Sequence, residues 1–426
     1  MKTNLTQIHH DGTVNNTGRS LSSVLLVMAT FLSIALITSI MGPIFPQLKS
    51  DFQLSNTITA FFPFAFFISY GVMSIPAGLL TELLGEKRVM LIALLIAALG
   101  SLLVATLPSM SVVLFSLFCI GSAMALLQVV INPLLRVSGG EEHYAFYSML
   151  GQLVFACGGM IAPKIYSYLA SQADLVQNSE QLISLAGQPM SWISMYQLFV
   201  LLALVLILAV SLNRFPHVEL KDDERVGGIA LCISMFKNKT VLLFFFAIMA
   251  YVGAEVGITT TMSLFLQEYH HLDPITEGSA AIANFWQFMV LGCVVGLFLM
   301  KLFNARYVLA VFCLISLASY CLALWGSTQQ SLLAYSAMGF FLSVMFPAIM
   351  SLALNSLDKN HGSFAGILCS GIAGGALVPV ICGSITDFSE SYRAGALFII
   401  VPLLYILFVS IKAKPIIENK TLFSKS

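Results

Sequence analysis

Glu255 is the one carboxylate deep inside an apolar run, in a chain of 426 residues of which 58% are hydrophobic and only 9% charged. A charge at the centre of a lipid bilayer costs at least about 3 kcal/mol, so an acid there faces a cavity, pairs with another group or takes up a proton. Tyr251 and Thr259 lie four residues before and after it, on the same face of a helix. The chemistry that fits is proton carriage or contact with a polar solute, and a structural hydrogen bond is the plainer alternative. A second constellation is built of amides. Gln128 and Asn132 are one helical turn apart, with Gly121 and Met124 on the turns before, and Gln152 follows on the next apolar segment. An amide donates and accepts, as does each hydroxyl of a neutral polyhydroxylated ligand. The same side chains could instead tie helices together, at about 1 kcal/mol per bond in a membrane. From the residues alone both readings stand. A third cluster, Asn284, Trp286 and Gln287, offers an aromatic face for the C–H side of a sugar ring and amides for its hydroxyls, or packing alone.

The scaffold that must position these groups is a membrane one. Mean hydropathy is +0.92, and a soluble domain carries about 25% charged residues. Apolar runs long enough to span a bilayer fall at 22–48, 57–81, 88–107, 111–137, 144–170 and 192–213, then at 240–267, 275–302, 305–326, 330–357, 362–386 and 394–413. The fold class is therefore an all-α membrane protein with twelve transmembrane helices in two six-helix pseudo-repeats. The organisation reads as a tail over 1–20, a six-helix bundle over 21–213, a charged linker over 214–239, a second bundle over 240–413 and a tail over 414–426.

Lys and Arg gather on the cytoplasmic side of membrane proteins. With the N-terminus inside, Lys49, Lys164 and Arg393 are the only three of the twenty basic residues on outside loops or outer helix ends, where Asp51, Asp174, Glu180, Glu268, Asp273, Asp387 and Glu390 collect. Both termini are expected in the cytoplasm and the chain in the cell (inner) membrane. The eight cysteines lie mostly inside apolar runs without a CxxC pair and read as packing residues.

The halves repeat each other. Gly158-Gly159 through Pro163 recurs as Gly374-Gly375 through Pro379, and the distance of each pair from its upstream proline, Pro133 or Pro347, differs by two residues. Gly78 lies ten residues before Arg88, and Gly296 ten before Arg306. Such glycines and prolines mark places where helices bend or approach closely, which a rocking of the halves would use.

The loop Gly78, Glu82, Gly85, Lys87, Arg88 resembles the signature loop of the major facilitator superfamily, with Glu82 where Asp is usual. Its implied role is gating: Gly78 for close helix approach, Glu82 as an acceptor for a neighbouring helix end, and Lys87 and Arg88 as interfacial anchors. Arg136, at the inner end of the fourth helix, reads as a snorkelling residue or a partner of Glu141 or Glu142. Gln128 through Asn132-Pro133, Gln152, the run Tyr251-Val-Gly-Ala-Glu255, Phe285-Trp286, Phe346-Pro347 and Gly374-Gly375 through Pro379 resemble the fucose/glucose-galactose proton symporter family within that superfamily. The resemblance implies that Gln128, Asn132 and Gln152 line a sugar cavity. The chain also departs from the fucose type. Gly42 stands where that type has a carboxylate, four residues before Pro46-Gln47, and Gln128 stands for its helix-four Glu. Tyr147 and Met149 replace an Arg and an Asn on the fifth helix, and Cys293 replaces an Arg on the eighth. Coupling through the fucose-type carboxylates is thereby excluded, and Glu255 is expected to carry the proton.

The expected function is cation-coupled uptake of a sugar such as a hexose or fucose, by alternating access. Its partners are a small-molecule solute, a coupling proton or sodium ion and the lipid bilayer, with no nucleic acid, cofactor or metal. Gln128, Asn132, Gln152, Asn284, Trp286 and Gln287 form the expected binding set. Leu342, Phe346 and Leu368, at the repeat positions of the first half's amides, are apolar, so that half is expected to supply the hydrogen bonds. Export or import of another polar or amphipathic compound stays open, as does a non-transporting receptor. No His, Cys-His or paired-carboxylate set lies within the spans, and no phosphate loop is present, which argues against an enzyme and a primary pump.

Overall fold

Backbone polar groups in lipid must be satisfied within their own segment, which makes helices of these apolar runs. The structure is a computed structural model that describes residues 20–139, 144–177, 192–213, 215, 226–413 and 415–416; within these, the side chains of 132, 133, 136, 139, 144–146, 148, 149 and 172–177 are not described. Among the described residues, twelve helices are long and apolar enough to cross a membrane, and there is no strand. They are α1 (Leu21–Asp51), α2 (Asn56–Leu84), α3 (Glu86–Thr106), α4 (Met110–Gly139), α5 (Tyr144–Gln177), α6 (Ile193–Leu212), α7 (Lys239–His270), α8 (Pro274–Leu302), α9 (Ala305–Trp325), α10 (Thr328–Leu354), α11 (His361–Ser389) and α12 (Tyr392–Lys412). Polar side chains start several of them: Asn238 accepts from Thr240 N at 2.8 Å, Asn304 from Arg306 N at 3.0 Å, and Ser327 and Gln330 form a capping box.

Prolines shape the helices that matter most. α1 is interrupted at Ile40, between Leu21–Ser39 and Met41–Asp51, where Pro43 has no N–H for the Ser39 carbonyl. α10 is interrupted between Thr328–Leu342 and Met345–Leu354, where Pro347 leaves the Ser343 carbonyl without its helical donor. α11 passes through a 3-10 turn at Gly371–Ala373.

The packing repeats with an offset of six helices. α2 and α3 pack on α4, α3 on α6 and α1 on α5; in the second half α8 and α9 pack on α10, α9 on α12 and α7 on α11. Across the halves α5 packs on α8, α2 on α11, and the second part of α1 on α7. The repeat extends to single side chains. Lys87, at the start of α3, donates to the Ser211 and Asn213 carbonyls at the end of α6, at 2.9 and 2.8 Å. Arg306, at the start of α9, does the same for α12, through the Ser410 and Ile411 carbonyls at 3.2 and 2.8 Å. Cations at helix C-termini satisfy carbonyls that have no helical partner.

At one end of the bundle, Asp387 of α11 joins the halves. Its carboxylate accepts from Asn56 N (3.0 Å), Asn56 Nδ2 (2.8 Å), Thr57 N (2.8 Å) and Thr57 Oγ1 (2.6 Å) at the start of α2. Lys49 donates there to Asn56 Oδ1 at 2.7 Å and to the Tyr392 hydroxyl. Arg393 stacks on the Tyr269 ring, 4.4 Å from its centroid. At the opposite end the segment read as a polar linker passes between α2 and α11. Glu82 accepts from Val226 N at 2.6 Å, Gly227 N donates to Ser363 Oγ at 3.0 Å, and the segment includes a short helix, Ile229–Met235.

Candidate functional site

A cavity lies between the halves, with about 950 Å³ of non-atom space counted together with the open solvent at its mouth. Both halves wall it: Phe31 and Thr38 from α1, Phe67 and Tyr70 from α2, Gln128 from α4 and Gln152 and Phe155 from α5; then Tyr251 and Glu255 from α7, Trp286, Met289 and Cys293 from α8, and Ser343, Phe346 and Pro347 from α10. The break in α10 therefore forms part of the wall.

Glu255 is the acid of this cavity, and Tyr251, one turn before it on the same helix face, lines the same wall. Thr259, expected as a second partner, instead donates to the main-chain carbonyls of Glu255 (3.1 Å) and Val256 (3.2 Å). A threonine hydroxyl in a helix reaches the carbonyl one turn back, so it braces the helix and does not reach the carboxylate. Just beyond, Gly42 of α1 meets α7: a Cβ there would sit 2.7 Å from the Thr259 carbonyl oxygen.

Gln128 and Gln152 are both partly buried and line the cavity, so the structure brings these two amides together with Glu255 and Trp286. The side chain of Asn132 lies outside the described residues, as does that of Arg136. Trp286 lines the cavity but is only 4% exposed, and its Nε1–H is buried with no hydrogen-bond partner among the described residues. Its ring meets Phe155 edge-on at 6.2 Å and 61°.

Asn284 and Gln287 are placed differently from the expected cluster. Both are exposed on another face of α8, and Asn284 lines a separate crevice with Glu277, Gln329 and Ser336. Each residue turns the helix by about 100°, so pointing Trp286, Met289 and Cys293 into the cavity sends Asn284 and Gln287 away from it. Of the three apolar positions expected to face the ligand, Phe346 lines the cavity, while Leu342 and Leu368 are fully buried in packing. The second half also brings Tyr251, Glu255 and the Trp286 N–H, so hydrogen-bonding groups come from both halves.

In the signature-like loop, Glu82 accepts from the Val226 main chain, where a helix end was expected. A Cβ on Gly78 would meet Val226 Cγ2 at 2.7 Å, so the same segment also explains that glycine. Gly85 ends α2 with φ +80°, a conformation that favours glycine. Lys87 caps α6, while Arg88 is exposed. Phe67, Tyr70 and Phe155 were not singled out in the sequence, because phenylalanine and tyrosine in an apolar helix carry no mark of facing a cavity.

Residues 26–377 match the family model described as the Major Facilitator Superfamily. A glucose/galactose transporter of Brucella abortus is 30% identical over 379 residues, covering 87% of this chain and 89% of that protein. The L-fucose-proton symporter of Escherichia coli is 24% identical over 379 residues, covering 85% and 86%. In structure, the chain is similar to the crystallised Escherichia coli fucose:proton symporter, with a TM-score of 0.67 at 21% identity, covering 93% of this chain and 100% of that one. That structural likeness speaks for the fold.

Proposed function

Since this chain belongs to the major facilitator superfamily, in the group that holds the glucose/galactose and fucose transporters, we propose that it carries a sugar across the cell's inner membrane with a proton, by alternating access. The observation that carries this reading is that Glu255 and Tyr251 line one cavity shared by both halves, together with Gln128 and Gln152. Deprotonated, Glu255 is a charge in a largely apolar chamber; protonated, it is neutral and lets the loaded carrier rearrange. Differential stability of the two protonation states is what a coupling ion needs in order to shift a conformational equilibrium. The amides and the Trp286 N–H offer donors and acceptors to hydroxyls, and Asn132 joins the proposed binding set by its place one turn from Gln128.

Both termini are placed in the cytoplasm by the distribution of basic residues. The end held by Asp387, Lys49 and Tyr392 then faces outside, and the conformation is one closed to the outside. Bundles over 21–213 and 240–413 rock about the cavity, with the segment over 214–239 between them. Glu82 and Gly78 hold that segment against α2 and act in gating at the inner end, where Gly85, Lys87 and Arg88 complete the loop.

The test is uptake of a panel of labelled sugars, polyols, nucleosides and carboxylates into proteoliposomes, with and without proton or sodium gradients. The expected result is concentrative uptake of at least one sugar driven by a proton gradient. Glu255→Gln is expected to abolish accumulation while leaving exchange of labelled for unlabelled sugar. Full proton-driven accumulation by Glu255→Gln would remove Glu255 from the mechanism, and efflux of hydrophobic cations with no sugar uptake would overturn the reading as a whole.

A further inference from the structure

Each half carries a Gly-Gly pair, and the two members of each pair face different partners. Gly158 meets α1 of its own half, where a Cβ would lie 2.6 Å from the Ala35 Cβ, and Gly374 meets the Met249 carbonyl of α7 in its own half. The second glycines look across to the other half. A Cβ on Gly375 of α11 would lie 2.8, 2.9 and 3.1 Å from Cγ, Cδ1 and Cδ2 of Phe67 on α2. A Cβ on Gly159 of α5 would collide with the indole of Trp286 on α8, 2.6 Å from Cε3 and 2.9 Å from Cγ. Both aromatic side chains line the cavity. The motif that betrayed the repeat thus also builds a reciprocal contact, in which each half seats one cavity aromatic on a glycine of the other.

Resting on the transport reading above, we infer that Phe67 and Trp286 are two walls of the solute site, and that Gly375 and Gly159 are the positioning residues that set them. The clash is with atoms at the root of each ring, Cγ of Phe67 and Cδ2 of Trp286, which stand one and two bonds from the Cβ. A methyl group on either glycine cannot be absorbed by the swing of a flexible tip; the ring must change χ1 or the helices must part. Either movement alters the cavity. The Trp286 N–H, buried without a partner among the described residues, is a donor that an acceptor oxygen reaching this wall would satisfy. Tyr70 stacks beside Phe67 at 6.3 Å and 28°, and Phe155 braces Trp286, so each wall is backed by a second ring. The matching solute has a face of C–H groups for the rings and hydroxyl oxygens for the indole and the amides. Because each wall is held by the opposite half, a solute touching both rings senses the angle between the halves.

The experiment measures KM and Vmax in proteoliposomes for the solute that the wild type carries in the panel above, in wild type, Gly375→Ala, Phe67→Leu, Gly375→Ala with Phe67→Leu, Gly159→Ala and Trp286→Phe. Each glycine substitution is expected to raise KM by at least about tenfold, the scale on which one methylene in a pocket acts. Phe67→Leu is expected to raise KM by itself through the lost ring, and adding Gly375→Ala to it is expected to raise KM by no more than about threefold further, a non-additivity that only touching residues show. Trp286→Phe keeps a ring and loses the donor, and is expected to raise KM with Vmax retained. An unchanged KM in both glycine variants, or a Gly375→Ala effect as large in the Phe67→Leu background as in wild type, would overturn the inference. If Gly375→Ala does not fold, the double variant decides by the same criterion. A wild type that carries only a non-sugar solute would refute the sugar reading, while the same series on that solute would still judge the two walls.

Discussion

Asp387→Asn tests the closed end of the bundle. The carboxylate accepts four hydrogen bonds from Asn56 and Thr57, two on each oxygen, at 2.6 to 3.0 Å. The amide oxygen can keep the pair from Asn56. The amide nitrogen then faces the Thr57 N–H donor to donor, while the Thr57 hydroxyl can turn to accept. One bond to a charged acceptor is lost and the other three become neutral. Bonds to charged groups contribute about 1.5–3 kcal/mol each and neutral ones about 0.5–1.5. The site is only partly buried, so water recovers part of the loss, and a net change of about 1.5–3 kcal/mol remains. With 1.4 kcal/mol per tenfold, the ratio of outward-open to outward-closed carriers rises about ten- to hundredfold. Native Cys293 reports this, because it lines the cavity between the halves. A charged, membrane-impermeant thiol reagent is added outside right-side-out vesicles, and modification of the Cys293 peptide is followed by mass spectrometry. Modification at least about tenfold faster than in wild type is expected, together with slower modification from the inside. Equal rates in Asp387→Asn and wild type would refute the argument that these bonds hold the outer end shut.

Gly42→Ala places its methyl 2.7 Å from the Thr259 carbonyl oxygen, and since the obstacle is backbone, α1 and α7 must separate; faster outside modification of Cys293 is expected, and an unchanged rate would contradict the contact. Lys87→Ala loses two bonds to the end of α6, worth about 1 kcal/mol in sum at a partly exposed helix end. It is expected to lower the apparent unfolding temperature in detergent while Arg88→Ala leaves it unchanged. Gln128→Ala and Gln152→Ala are expected to raise the KM for the carried solute at least about tenfold, whereas Asn284→Ala and Gln287→Ala, which face away from the cavity, leave it within about twofold; the reverse order would mislocate the site.

The helices were legible because a bilayer demands long apolar runs with few charges, and both demands are written in the residues themselves. The pairing of helices with an offset of six was legible through the Gly-Gly and Gly-to-Arg repeats. The direction of a side chain was less so. Asn284, Trp286 and Gln287 are neighbours in sequence, and only the tertiary packing of α8 decides which of them the cavity receives. The stripe Trp286, Met289 and Cys293 is a regular helical spacing, but nothing marks it as the inner one when the opposite stripe carries the amides. Thr259 shows the same limit at the scale of one side chain, because its spacing from Glu255 fits both a carboxylate partner and a main-chain brace. Lys49 and Arg393 were visible as two of the three exceptions to the inside bias of basic residues. Their reason came only with the fold: Lys49 joins the Asp387 contact, and Arg393 stacks on Tyr269 beside it.

Gly42 is the point at which sequence and geometry bear on each other most directly. A carboxylate at this position and the observed approach of α1 to α7 are mutually exclusive, because the first carbon of any side chain would already lie 2.7 Å from a main-chain oxygen. The absence of an acid at position 42 therefore permits a close contact between the halves beside the cavity, at the end that holds Asp387. It also leaves one acid in the chamber. The contact falls on Thr259, whose hydroxyl holds the Glu255 carbonyl one turn away, so closure at Gly42 and the setting of Glu255 share a single stretch of α7. On the proposed reading, in which Glu255 carries the proton and this end faces outside, the outer gate and the proton site are linked through four residues of helix. Restoring an acid with Gly42→Asp in a Glu255→Gln background is accordingly expected to leave accumulation absent, since the new side chain would part α1 from α7 before it could serve as a proton carrier. Recovery of proton-driven accumulation in that double variant, measured in the same proteoliposomes, would show that the two positions are interchangeable and that the close contact is dispensable.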